Sequence, residues 1–156
     1  MPRFTCDAML GSLARWMRFF GFDTEFCGPE LEDREVQNRA GTEGRWLLTR
    51  DRQLASKGPR TMLVRSEDLN DQLVEVFARL NLRPIADLTA SRCGECNGVL
   101  ETADPETVRE QVPPYVRKTA ERFRRCTRCG RVYWPGTHTL NIVETMAAVV
   151  ARLGPS

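Results

Sequence analysis

Lysine is nearly absent from this sequence. Of 23 basic residues only Lys57 and Lys118 are lysine, so 21 are arginine. Long apolar runs are absent too. The longest is Met146–Ala151, far short of the roughly 20 residues a membrane-spanning helix needs. No charged-then-apolar leader pattern opens the chain at Met1–Asp7, so the expected setting is cytoplasmic, without a membrane partner. Internal repeats and low-complexity tracts are lacking, and apolar residues are spread along the whole length, which argues against disorder.

Arginine in such excess suits planar, bidentate contact with phosphate. The formal net charge is only +2, but it is unevenly placed. Residues 1–90 carry 13 basic and 14 acidic side chains, a net of −1, and residues 91–156 carry 10 and 7, a net of +3. The basic excess lies in the second part.

Four of the six cysteines form two C-x-x-C pairs, Cys93/Cys96 and Cys126/Cys129. A two-residue gap lets both thiolates of a tight knuckle face one ion, and two knuckles complete a tetrahedron. Asn97-Gly98 and Gly130 follow the pairs as turn formers. Two disulfides or a thioredoxin-like redox pair are the alternatives. Disulfides are disfavoured in a reducing compartment, and redox pairs come singly, so a structural zinc held by four cysteines is the expectation. Cys6 and Cys27 lie in apolar strand contexts and are expected to fill the core.

The periodicity alternates strands with helices. Strands are expected over Arg3–Cys6, Thr24–Cys27, Arg45–Thr49 and Thr61–Val64. Helices are expected over Ala8–Phe20, Asp33–Glu43 (capped by Asp33) and Asp68–Leu80, with one helical turn at Arg52–Ser56. That order implies an α/β parallel sheet with flanking helices. Leu82–Ser91 reads as a linker, Asp104-Pro105-Glu106 as a helix start, Pro113-Pro114 as a break, and Thr139–Leu153 as a last amphipathic helix. Domains of 1–88 and 89–156 follow.

Ligands of such sheets bind beyond the carboxyl ends of the strands. Asp7, Asp33, Asp51 and the Glu67-Asp68 pair each follow one expected strand. Clustered carboxylates repel, and a hard divalent cation such as magnesium or manganese relieves the repulsion. Such ions serve nucleases, phosphatases and polymerases. Asp7-Ala8-Met9 lacks the Asp-x-Asp of aspartyl phosphatases, and no lysine suits a receiver-type phosphoacceptor. Metal-assisted hydrolysis remains.

The run Asp7-Ala8-Met9-Leu10-Gly11-Ser12-Leu13-Ala14-Arg15-Trp16-Met17-Arg18, then Gly21-Phe22-Asp23-Thr24 and Gly44-Arg45-Trp46-Leu47-Leu48-Thr49-Arg50-Asp51-Arg52, resembles the PIN-like ribonuclease domain of the Mut-seven C-terminal type. Arg92–Asn97, Cys126–Gly130 and Val132–His138 are similar to the zinc ribbon that follows it in that family. The resemblance implies a PIN-like parallel sheet with flanking helices, then a small zinc-ribbon domain and a C-terminal helix. It also implies a metal-dependent ribonuclease with Asp7, Asp33 and Asp51 as catalytic acids. Fuller PIN domains carry a further acid, for which Glu30, Glu32 and Glu67 are the candidates here.

Candidate RNA contacts are Arg15 and Arg18 on the first helix, Arg50 beside Asp51, and Arg124 and Arg125 in the basic run Arg117–Arg131. Trp134 and Tyr133 could stack unpaired bases, and His138 could face the acids as a proton shuttle or phosphate donor. Trp16 and Trp46 are expected in the core. The expected partner is RNA, either transfer or ribosomal. The competing reading is a non-catalytic RNA- or ribosome-associated zinc-binding protein.

Overall fold

The computed structural model describes residues 1–155. Four strands, β1 (Phe4–Cys6), β2 (Thr24–Phe26), β3 (Trp46–Thr49) and β4 (Thr61–Leu63), form one wholly parallel sheet in the order β2-β1-β3-β4. Covered on both faces, parallel strands need apolar residues on both sides, and all three residues of β1 are buried. Between the strands run α1 (Gly11–Phe19), entered through a 3-10 turn at Ala8–Leu10, α2 (Asp33–Thr42), the single turn α3 (Arg52–Ala55) and α4 (Leu69–Arg79). The sequence pattern anticipates each of these elements to within a few residues.

Helix ends differ in instructive ways. Asp33 is the first residue inside α2, not its cap; Glu32 holds the cap position without a side-chain bond. The carboxylate of Asp33 therefore lies in the first turn, where the helix dipole favours it. Pro114 opens α5 (Pro114–Thr119) instead of merely breaking the chain, since proline's fixed φ and missing N–H suit a first helical position. The Asp104-Pro105-Glu106 start yields only turns and a 3-10 segment at Arg109–Gln111.

The second part contains an antiparallel sheet of β5 (Leu100–Ala103), β6 (Phe123–Cys126) and β7 (Val132–Tyr133), with α5 in the long β5–β6 connection. Ala103, Val108, Val112, Val116, Phe123 and Val132 form a small core of its own. The chain ends in α6 (Thr137–Leu153). It begins two residues ahead of the expected Thr139, because the Gly136 N–H donates to the Thr139 hydroxyl and sets the first turn earlier.

A boundary at residue 88 separates α6 from the sheet domain, yet α6 packs on α4 and its Met146 and Val149 are fully buried. They join Phe4, Leu13, Met17, Leu48 and Phe77 in the main core. Ile142, Met146, Val149, Val150 and Leu153 repeat at helical spacing along that face. Arg152 adds an ion pair to Asp71 at 2.8 Å. The last helix thus closes over the first domain after the chain has left it.

Met146→Ala is expected to destabilise the whole α/β core by about 2–5 kcal/mol, as buried methionine truncations do. Urea unfolding checks this. A transition midpoint unchanged from the parent would show α6 to be an appendage.

Candidate functional site

Two sites emerge, one of thiols and one of carboxylates. The cysteine site is compact. One ligand atom from each of Cys93, Cys96, Cys126 and Cys129 lies within 4.8 Å of every other. Cys93 and Cys129 sulfurs are 3.7 Å apart and those of Cys96 and Cys126 are 3.3 Å apart. Tetrahedral thiolates at the usual zinc–sulfur length of about 2.3 Å stand about 3.8 Å from one another, so the spacing suits one zinc ion. All six cysteines are free of disulfides. Cys6 and Cys27 are buried in the core, as expected.

The backbone favours the thiolate of Cys126 in particular. Burial opposes charge at Cys126, but N–H groups of Cys129 and Arg128 point at its sulfur, at 3.4 and 3.3 Å. With help from the neighbouring thiols, they bring its pKa down to about 6. Gly98 is required by space: a Cβ there would collide with the Cys126 sulfur and stand 3.2 Å from that of Cys96. The Tyr133 hydroxyl lies 3.0 Å from the Cys93 sulfur, which assigns that end of the ring to the knuckle.

The first knuckle is also clamped to the sheet domain. Asn97, fully buried and left-handed at φ 73°, accepts from the Thr24 N–H at 2.9 Å and donates to Asp23 at 2.7 Å and Glu25 at 3.1 Å. Because β2 is an edge strand, its outer N–H groups need partners, and Asn97 supplies one. Arg18 completes the clamp, donating to the Thr24 and Gly94 carbonyls, both at 2.8 Å. It is only 6% exposed. That burial removes Arg18 from the surface open to phosphate, although the helical wheel alone places it on the polar face. Arg45 pairs with Asp23 at 2.7 Å in the same network.

The carboxylates gather at the opposite ends of the strands. Asp7 follows β1 directly, and Asp51 follows β3 by one residue; β1 and β3 are hydrogen-bonded parallel neighbours. Both acids therefore occupy one sheet edge. Thr49, buried at the end of β3, links them: its hydroxyl donates to Asp7 Oδ2 and accepts from the Asp51 N–H at 3.0 Å. Asp51 caps α3 through Oδ1, which accepts from Gln53 and Leu54 N–H groups. Asp7 Oδ1 accepts from the Met9 N–H at 3.3 Å.

The pKa of Asp7 is raised. Burial is the largest cause, opposed by the Thr49 and Met9 hydrogen bonds and reinforced by the negative charges of Asp33 and Asp51. The three acids thus share one electrostatic environment. They are spread more widely than the cysteines, which among the described residues form the one set of such donors converging within 4.8 Å.

The other candidate residues separate by location. Arg50 donates to the carbonyls of Val64, Arg65 and Ser66, tying the loop after β4 to the acidic edge. Arg124 donates to the Leu88 and Thr89 carbonyls, at 2.8 and 3.2 Å. Arg125 is the next residue on β6, and strand alternation sends it to the opposite face of the small sheet. The two arginines therefore cannot act as one patch. His138, exposed in the first turn of α6, meets the Trp134 ring edge-on at 6.3 Å. Arg15, Arg124, Trp134 and His138 all line one groove, which none of the three aspartates lines. Trp16 and Trp46 are half-buried against the main core.

The model of the Mut7-C RNAse domain matches residues 2–146. The chain belongs to that family. No curated protein and no solved structure gives a significant match. Membership implies a ribonuclease with RNA as substrate, and the cysteine cluster implies zinc binding. The Asn97–Asp23–Arg45 clamp is what sequence reasoning misses in this Mut7-C chain; by spacing Asn97 is only a turn former, and nothing local names Thr24 as its partner.

Two outcomes are expected. Metal analysis of the full chain should find one zinc per molecule, and Gly98→Val should lose it; zinc retained by that variant would remove the steric argument. Asp7→Asn should raise the melting temperature at pH 7 without added divalent ions. The sign follows from linkage: an acid whose folded pKa is raised penalises the folded state above that pKa, and the penalty vanishes below the unfolded value. The gain should therefore disappear in strong acid, and a lower melting temperature at pH 7 would contradict it.

Proposed function

We propose that this chain hydrolyses RNA phosphodiester bonds at Asp7, Asp33 and Asp51 with magnesium or manganese, its zinc ribbon aiding RNA binding. The observation carrying this reading is the convergence of the acids beyond adjacent parallel strands, where ligands of α/β sheets bind, at a visible electrostatic cost to Asp7. An arrangement that costs stability suits a site whose charge is balanced by something bound.

A bound divalent ion would supply an activated water and neutralise charge developing in an in-line displacement. The chain's own residues supply the rest. Thr49 fixes the rotamer of Asp7 and, through the Asp51 N–H, the turn that presents Asp51. The Gln53 and Leu54 N–H groups hold Asp51 Oδ1, leaving Oδ2 to face outward chemistry. Asp33 enters from the first turn of α2. Arg50 keeps the loop after β4 against this edge. Zinc, held by the four cysteines on the other end of the fold, is structural in this scheme.

The zinc-loaded chain should cleave unstructured RNA when magnesium or manganese is added and not without it. Asp7→Asn should reduce cleavage by at least the ~100-fold seen at the upper end for outer-shell metal partners, and Thr49→Val by about 10–100-fold. Thr49→Val should also shift the acid limb of the rate profile to higher pH, since it removes a hydrogen bond that lowers the Asp7 pKa. Bound but uncleaved RNA under every metal condition would favour a non-catalytic RNA-binding protein.

A further inference from the structure

A groove of about 1170 Å³ runs between the C-terminal half of α1, the segment after α4, the ribbon sheet and the first turn of α6. Its rim carries Arg15, Arg122 and Arg131, all exposed, and its wall presents the rings of Phe19, Trp134 and His138. Asp104 and Glu121 are the acids along it, so cations are in excess. Arg124 also lines it, with its guanidinium on the Leu88 and Thr89 carbonyls, which ties the ribbon sheet to the segment after α4.

We propose that this groove docks unpaired RNA, its arginines following the phosphates and Trp134 stacking a base. This proposal rests on the ribonuclease reading, and it names a second site separate from the acidic edge. The chemistry selects the occupant. Flexible single strands are held by a positive groove with aromatic platforms, because every base has a π-face. Trp134 is half-buried against the ribbon core, and the edge-on contact with His138 leaves the indole no stacked partner in that pair. In duplex RNA the bases are already stacked and the grooves display backbone, so a duplex gains nothing from the rings.

The position of the groove adds a consequence. Asp7 caps the turn leading into α1, and Phe19, lining the groove, is that helix's last residue. Arg15, in the middle of α1, lines the groove as well, so the groove lies along that helix from the end that Asp7 precedes. One strand engaging both sites must run along α1, with the cut displaced from the docked base.

Fluorescence anisotropy tests this, using a labelled eight-nucleotide unstructured RNA and the zinc-loaded chain without added magnesium or manganese. Trp134→Leu should weaken binding about tenfold and remove the Trp134 share of the tryptophan quenching expected on RNA addition, as loss of a stacking platform would. Arg122→Glu with Arg131→Glu should weaken it at least tenfold and flatten the salt slope by about 0.7 for each phosphate no longer neutralised. Zinc content should be unchanged in both. If Trp134→Leu fails to fold, the exposed charge reversals decide alone. Unaltered binding in the charge-reversal variant, as a groove for protein would give, overturns the proposal, and so does a duplex bound as tightly as the single strand. Cleavage on later addition of manganese is scored separately. Binding unaltered by the groove variants, with cleavage intact, removes the groove and spares the ribonuclease reading; binding that follows the groove variants without cleavage does the reverse.

Discussion

Like charge at the end of a parallel sheet is the constraint around which this fold is arranged. Pairing β1 with β3 brings Asp7 and Asp51 onto one edge, and α2 adds Asp33 nearby. Thr49 partly offsets the repulsion by giving Asp7 a proton to share and by holding the Asp51 backbone. Burial of the carboxyl, with a smaller addition from Asp33 and Asp51, leaves the pKa of Asp7 raised. Folding tolerates it because the rest of the domain is well packed, with Phe4, Phe22, Phe20 and Phe77 meeting at ring distances of 5.1–5.7 Å.

The opposite end of the sheet is arranged by the contrary logic, with acids and bases paired. Asp23 meets Arg45, Asn97 and Arg92, and Glu25 meets Asn97 and Arg128. The first zinc knuckle docks there through these polar contacts. Gly94 is pressed so closely on Phe19 that a Cβ would stand 2.9 Å from the ring. A zinc ion on the four cysteines would hold the knuckle that presents Asn97 to the edge of β2. The knuckle and the sheet domain are coupled through Asn97 and Arg18 together.

Much of this is legible in the sequence because period and punctuation carry it. The strands, the three longer helices of the first part and the two knuckles follow from spacing alone. What is not legible depends on tertiary partners. Arg18 lies on the polar side of its helix by periodicity, yet the knuckle covers that side. Arg124 and Arg125 read as one basic patch until β6 is seen to be a strand that divides them. The face of α6 is plainly amphipathic, but no local signal says that it returns to the first core instead of covering the ribbon. Thr49 is recognisable as a strand-end threonine; its double hydrogen bond needs the β1–β3 pairing to appear.

In the proposed mechanism a divalent cation neutralises the acidic edge. The direct measurement is the titration of the Asp7 side-chain carboxyl by carbon-detected NMR, first without divalent ions and then at saturating magnesium. The Asp7 pKa should be raised without the ion and fall clearly when magnesium is added, with the Asp33 and Asp51 signals perturbed together. An Asp7 pKa that magnesium leaves unmoved would contradict it.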